Sequence, residues 1–427
     1  MYKLEDALHY HSINKGKIEI NSKVPLTNDY HLTLAYSPGA AEPSMRIYKN
    51  PDMVYRYTSR GNMVAVVTNG TAVLGLGNIG PSAALPVMEG KAQLFKTLAG
   101  IDAFPILINS SDPDEIVKTV KLLEPTFGGI NLEDIAAPEC FMIEERLNEE
   151  LNIPVFHDDQ HGTAVVVMAA LINALKLVDK ALDAIKVVIN GAGASALATA
   201  RLLLSAGVNN IIVCDSRGII YPGRVEGINR YKAAVARQTN PTGHGGKLAD
   251  ALVDADVFIG LSRGNLMDGV MVKSMARDPI IFALANPEPE INPRLAVSSG
   301  AKIVGTGRSD YPNQINNNLG FPGIFRGALD VRASEVNMEM KVAAARAIAG
   351  QVSDKELSTG YIIPKTMDPW LCPAVAAAVA AAAMKTKVAR VKVDPEEIAR
   401  RTHELFQKNT NYGKLLAEEM VQYRMLQ

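Results

Sequence analysis

Hydrophobic residues along this chain gather in short runs set apart by turn residues, and the runs change character near residue 160. Before that point strands are expected at Met63–Thr68, Ala72–Leu76, Ala103–Ile108 and Ile153–Phe156, with helices over Pro113–Leu123 and Ala137–Leu151. A long apolar helix is expected from Thr163 to about Leu177. A regular alternation follows: strand Ile185–Asn190, helix Ser195–Ala206, strand Asn210–Cys214, helix Lys247–Asp254, then short apolar strands at Val257–Ile259, Ile280–Leu284 and Lys302–Val304. Near-continuous apolar strands spaced by helices predict a parallel sheet covered on both faces, hence an α/β fold. Helices over Ala328–Ala349, Pro373–Lys385 and Pro395–Gln407 are expected to close the chain.

Composition narrows the class. At 427 residues the chain exceeds one ordinary domain. Its 48% hydrophobic and 21% charged residues suit a soluble globular protein, and a net charge of −1 leaves no electrostatic footprint for nucleic acid or a membrane surface. The three cysteines (Cys140, Cys214, Cys372) form no CxxC pair and no even framework, as expected in a reducing cytoplasm. The N-terminus carries acids where a signal peptide would carry an apolar run. The alanine-rich stretch Ala374–Met384 spans eleven residues, too few to cross a bilayer.

Two carboxylate pairs are the first candidate chemistry. Phe156-His157-Asp158-Asp159-Gln160-His161-Gly162-Thr163-Ala164 places adjacent acids at a strand end, and Asn131-Leu132-Glu133-Asp134-Ile135 repeats the arrangement behind a Gly-Gly turn. Adjacent acids repel, and several carboxylates converging on one point favour a hard divalent cation such as Mg²⁺ or Mn²⁺. The plainer reading makes each pair a turn plus a helix N-cap. A zinc site on His157 and His161 is the lesser alternative, since carboxylates outnumber the imidazoles.

Two glycine motifs compete for a dinucleotide. Gly75-Leu76-Gly77-Asn78-Ile79-Gly80 spells GxGxxG, and Gly191-Ala192-Gly193-Ala194-Ser195-Ala196 is its GxGxxA variant. The second follows a strand and opens an alanine-rich helix, so its amides and the helix N-terminus can face a pyrophosphate. Asp215 then closes the next strand 22 residues beyond Gly193, where a ribose hydroxyl would be accepted. Arg217, two residues on, could instead receive a 2′-phosphate, so NAD and NADP both stay open. The earlier motif is expected to be a tight turn near the active site. Residues 1–160 are thus expected to form an α/β substrate domain, 161–372 a Rossmann-like, doubly wound NAD(P) domain, and 373–427 a helical segment.

Further segments carry a resemblance: Leu34-Ala35-Tyr36-Ser37-Pro38-Gly39, Glu89-Gly90-Lys91-Ala92, Ala285-Asn286-Pro287, and Asn316-Asn317 followed by Phe321-Pro322-Gly323. Together with the two acid pairs and Gly75–Gly80, these segments occur in family order, and the chain resembles malic enzyme in its small bacterial form. The resemblance implies oxidative decarboxylation of malate to pyruvate and CO₂ with NAD or NADP and Mg²⁺ or Mn²⁺. It makes Glu133, Asp134 and Asp159 metal ligands, with Asp158 beside them as a supporting acid behind the ligands or a local proton acceptor. Tyr36 and Lys91 match the acid–base pair; Asn286 and Asn316 or Asn317 match amides that hold substrate carboxylate and nicotinamide ribose. It also implies a homodimer. Ala72 stands where larger relatives carry a substrate-contacting arginine, and the Gly80–Lys91 spacing differs by one residue from theirs. Malolactic enzyme, which returns the hydride to give lactate, shares the site and is the nearest alternative; a catalytically silent nucleotide-binding regulator is the alternative from another class.

Overall fold

A computed structural model describes residues 4–73 and 75–425. The first sheet has four parallel strands, β1 (Met63–Thr68), β2 (Asp102–Leu107), β3 (Gly129–Leu132) and β4 (Val155–His157), in the order β2-β1-β3-β4. Pairing of Asn131 with Phe156 and of Leu132 with His157 fixes the register of β3 on β4. One residue past those paired ends stand Glu133 and Asp158, so the two acid pairs emerge side by side at the carboxyl edge of the sheet. That edge is where an open α/β sheet presents its ligand crevice.

The second sheet contains β5 (Lys186–Asn190), β6 (Asn210–Asp215), β7 (Gly218–Ile219), β8 (Val257–Gly260), β9 (Ile280–Ala283) and β10 (Ile303–Thr306) in the order β10-β9-β8-β5-β6-β7. All neighbours are parallel except β6 and β7. The expected mixed α/β architecture with a doubly wound, Rossmann-like sheet is the one observed. Between the sheets runs the helix Asp158–Val178, packed against helices Ala194–Ser205 and Met338–Ala349. By length and composition it could cross a membrane, but 67% of its apolar window is buried inside the protein. It is the central core helix.

Several elements differ from expectation. The central helix begins at Asp158 and not Thr163, so Asp158 and Asp159 form its first turn. Acids are favoured there by the exposed N–H groups and the positive end of the helix dipole. The strand expected over Ala72–Leu76 includes Leu74, which lies outside the described residues; around it the chain turns, with Val73 bridging Gly77. The single helix expected over Ala328–Ala349 is two, Phe321–Asp330 and Met338–Ala349. The break contains Arg332 at φ 50°, and Asn337 recaps the second helix by accepting from the Met340 N–H. The last helix runs from Pro395 to Met425, well past Gln407.

Lys91 sits on the helix Pro81–Ala99, which starts with Pro81 behind Gly80 and stops at Gly100 in the left-handed region. Phe95, one turn after Lys91, meets Phe321 and Phe325 edge-on with centroids 4.7 and 5.3 Å apart, and Phe156 joins Phe325 at 5.8 Å. These buried rings tie β4, the Lys91 helix and the helix Phe321–Asp330 together. Each pair adds roughly 0.5–1.5 kcal/mol beyond area burial.

The helix Phe321–Asp330 lies almost in contact with the backbone of Leu371–Lys385. A Cβ on Gly323 would fall 2.6 Å from Val375 Cβ, and one on Gly327 would fall 2.4 Å from Ala376 O. Gly327→Ala should therefore lower stability by about 1–3 kcal/mol through overpacking, overriding the ~1 kcal/mol gain alanine brings to a helix. A higher urea midpoint for the variant would contradict this close approach.

Candidate active site

Glu133, Asp134 and Asp159 each bring a carboxylate oxygen within 4.8 Å of the others. Glu133 is placed by the end of β3, where its N–H continues the ladder to Val67 O at 2.9 Å. Asp134 turns the chain at φ 52°, a left-handed conformation that aspartate tolerates better than most residues. Its N–H donates to Asp159 Oδ2 at 2.8 Å, which joins the two acid pairs directly. Asn131 Nδ2 donates to Glu133 Oε2 at 2.9 Å and orients that side chain from below. Glu133 and Asp134 are buried and Asp159 is partly exposed, so the group opens to solvent on one side. Among the described residues, no imidazole or thiolate joins this group.

Lys91 enters the same cavity from its own helix. Its Nζ lies 2.5 Å from Asp158 Oδ2, 3.0 Å from Glu133 Oε1 and 4.2 Å from the centre of the Phe321 ring. Burial opposes its charge, but Asp158 and Glu133 outweigh burial and hold the lysine above its usual range. The acids outnumber it. Burial pushes Glu133 up to about 7 despite Lys91, with Asp159 adding to the rise. Burial likewise takes Asp158 up to about 7 and Asp159 to about 6, against the pull of Lys91. Gly162 makes room for Asp158: a Cβ there would fall 1.9 Å from Asp158 Oδ1.

His157 and His161 play no part in the carboxylate group. His157 Nδ1 stays 3.8 Å from Asp159 Oδ2, and His161 Nε2 is engaged by Glu144 Oε2 at 2.9 Å. Burial lowers His157 to about 4, so it is neutral near pH 7. Glu144 is held down at about 2: burial opposes its charge, and His161 and Lys341 more than compensate.

On the second sheet, Gly191 follows β5 and Gly193 is the N-cap of Ala194–Ser205. Gly191 adopts φ 137°, and a Cβ there would strike Leu261 O at 2.4 Å; at Gly193 a Cβ would meet only open space. Ala194, Ser195 and Ala196 form the first turn of that helix. This is the open helix N-terminus that a pyrophosphate requires. The other motif is a turn, with Gly75, Gly77 and Gly80 all at φ 77°. Gly75 lies against the second half of the molecule, since its Cβ would fall 2.6 Å from Asn286 O.

Asp215 ends β6 as expected, but its carboxylate is occupied. Arg224 grips both oxygens, with Nη1 3.0 Å from Oδ1; Lys232 Nζ is 2.9 Å from Oδ2, and the Arg217 N–H donates to Oδ1 at 3.0 Å. Burial opposes the charge on Asp215, but these donors hold its carboxyl below the usual range.

The remaining expected residues divide. Asn317 lies beside Asp158, whereas the side chain of Asn316 caps a short turn by accepting from the Asn318 N–H at 3.0 Å. Asn286 stands at the seam with Gly75. Tyr36 caps the helix Asp29–Ala35 and is 75% exposed, its hydroxyl in no hydrogen bond among the described residues. The expected Tyr36–Lys91 pair is thus not assembled within one chain. Sequence reasoning missed Glu144, Arg224 and Lys232, which follow no local motif, and it gave Phe321 no contact with Lys91.

Comparison with known proteins agrees with this geometry. Family models described as "Malic enzyme, N-terminal domain" and "Malic enzyme, NAD binding domain" match residues 15–148 and 160–388. A bifunctional malic/malolactic enzyme of Bacillus subtilis (strain 168) is 63% identical over 94% of this chain and 98% of its own length. An NAD-dependent malic enzyme of Geobacillus stearothermophilus is 56% identical over 88% of this chain and 78% of its own. The crystal structure of malic enzyme from Pyrococcus horikoshii superposes with a TM-score of 0.94 at 49% identity, covering 98% of this chain and 99% of that one. The chain belongs to the malic enzyme family of NAD(P)-dependent, decarboxylating oxidoreductases.

Proposed function

We propose that this chain converts malate to pyruvate and CO₂ with reduction of NAD(P)⁺, using a divalent cation held by Glu133, Asp134 and Asp159. The observation that carries this reading is the convergence of those three carboxylates beside a buried, acid-paired lysine. The donor set fits the cation: all hard oxygens, on rigid strand and helix ends, with one open side. That chemistry suits Mg²⁺ or Mn²⁺ and not zinc. When bound, the cation would acidify the C2 hydroxyl of malate and favour negative charge on the enolate oxygen.

The chain's own residues supply the proton movements. Glu133 and Asp158 hold Lys91 charged, and a cation bound by Glu133 would weaken one of those two attractions. Asp158, raised by burial and paired with Lys91, is the neighbour that can take the ammonium proton. As the neutral amine, Lys91 then takes the C2 hydroxyl proton as hydride leaves C2 for the nicotinamide. Asn317 and Asn286 are assigned to the substrate carboxylate and the nicotinamide ribose, and Asn316 acts as their structural support. Gly191, Gly193 and the first turn Ala194–Ala196 hold the pyrophosphate. In this assignment residues 1–160 carry substrate and metal, 161–372 carry the cofactor, and 373–427 brace both from outside, in a cytoplasmic enzyme.

Tyr36 is assigned the protonation of C3 of enolpyruvate, which requires it to leave solvent. The segment around it is apolar and uncovered: Ile20 is 87% exposed, and Val24, Leu26, Tyr30, Leu32 and Leu34 are exposed with it. So many exposed apolar side chains on one short segment support reading it as an interaction surface. A second copy of the chain in a two-fold dimer would cover it and enclose Tyr36.

The cofactor is read as NADP. With the Asp215 carboxylate already engaged by Arg224 and Lys232, the site offers surplus positive charge where a 2′-phosphate would sit. Malolactic conversion is the second reading, favoured by the dual name of the Bacillus subtilis relative. It differs only in the fate of the hydride.

Malate with Mn²⁺ should yield free reduced cofactor and pyruvate in equal amounts; lactate with no free reduced cofactor would replace the first reading with the second. Asp159→Ala should abolish metal-dependent turnover and leave cofactor binding near native, and equal loss of both would defeat the assignment of the cage. NADP⁺ should give the higher kcat/KM, and Lys232→Gln should lower it for NADP⁺ by about 10- to 100-fold, the worth of a hydrogen bond to a charged group, while sparing NAD⁺. Equal effects on the two cofactors would remove the 2′-phosphate from this reading. Light scattering at micromolar concentration should give twice the chain mass of 45.9 kDa; a monomer would leave Tyr36 without its role.

A further inference from the structure

Glu144, on the helix Glu139–Glu150, lies outside every motif read from the sequence, and its carboxylate is buried. One oxygen, Oε1, accepts the backbone N–H of His157 at 2.9 Å; the other, Oε2, meets His161 Nε2 at 2.9 Å. His157 is the N-cap of the central helix and uses no side-chain capping bond of its own. His161 is one turn further on. Glu144 therefore spans the whole first turn, and the three residues between its two partners are Asp158, Asp159 and Gln160.

Two of these three, Asp158 and Asp159, carry contacts of the site. Asp158 meets Lys91, and Asp159 accepts the Asp134 N–H and belongs to the three-carboxylate group. Helix first turns fray because their N–H groups have no partners within the helix. Here the turn must hold two mutually repelling carboxylates in place. We propose that Glu144 is a positioning residue for the carboxylate cage, clamping the first turn of the central helix at both ends so that Asp158 and Asp159 keep their spacing to Lys91 and the bound cation. This rests on the reading of Glu133, Asp134 and Asp159 as a cation site. Buried partners that orient ligating groups typically set about 10- to 100-fold of metal affinity.

The test compares two side chains of similar volume. Glu144→Gln keeps an oxygen for the His157 N–H and an amide donor for His161; Glu144→Met fills the space and keeps neither. Mn²⁺ affinity of the full-length protein without substrate is followed by the electron paramagnetic resonance of free Mn²⁺, alongside thermal unfolding and the fluorescence of bound NADPH. We expect Glu144→Met to weaken Mn²⁺ binding by about 10- to 100-fold, Glu144→Gln to stay within about threefold of native, and NADPH affinity to change in neither. Native-like Mn²⁺ affinity in a folded Glu144→Met protein overturns the proposal. Asp159→Ala is the control. If it loses Mn²⁺ while Glu144→Met does not, only the role of Glu144 fails; if it keeps Mn²⁺, the cation site fails and this inference with it. Should Glu144→Met not fold, His161→Leu against His161→Gln repeats the comparison on the side-chain half of the clamp. Loss in the leucine variant alone supports the proposal, and equal affinities refute it.

Discussion

Four carboxylates, from Glu133, Asp134, Asp158 and Asp159, share one cavity with a single lysine. Burying ionised groups costs several kcal/mol each unless charge and hydrogen bonds compensate. Within this cavity the compensation is incomplete. Lys91 stays charged, and three of the acids are pushed toward neutrality. Such an imbalance is relieved by protonation of the acids or by an added cation, and a hard divalent cation would supply the missing charge in the smallest volume. The parallel register of β3 and β4, the left-handed turn at Asp134 and the space left by Gly162 all serve to hold those acids close against their repulsion.

Lys91 shows how far the scaffold is committed to that cavity. A buried ammonium needs partners on every side. Asp158 and Glu133 take two directions, and the face of Phe321 takes a third, a contact that contributes on the order of 2 kcal/mol when desolvated. Phe321 is in turn fixed by Phe95 on the lysine's own helix. The aromatic cluster is thus both core and support for the buried amine: the contacts that stabilise the packing of three elements also set where the amine points.

Strands and helices with strong periodicity were legible in the sequence, as β1 and the helix Pro113–Leu123 show at both ends. So were the acids and the Gly191 loop, because each depends on neighbours within a few residues. The start of the central helix was misjudged because consecutive polar residues, Asp158 to His161, conceal a helical turn whose caps come from another helix. The break after Asp330 is hidden because residues 331–337 contain neither glycine nor proline to mark it. Occupation of Asp215 by Arg224 and Lys232, and the exposure of Tyr36, depend on tertiary placement that no local spacing encodes. The resemblance to a family named the residues, but which of them meet within one chain is a property of the fold.

The closeness of Gly75 to Asn286 O leaves no room for a side chain at that point of the seam between the two sheets. Main chain lies on main chain there, and a contact of that kind has no rotamers to average over. A side chain at Gly75 would force the turn and the Asn286 loop apart, so glycine at this position is what lets the two backbones meet.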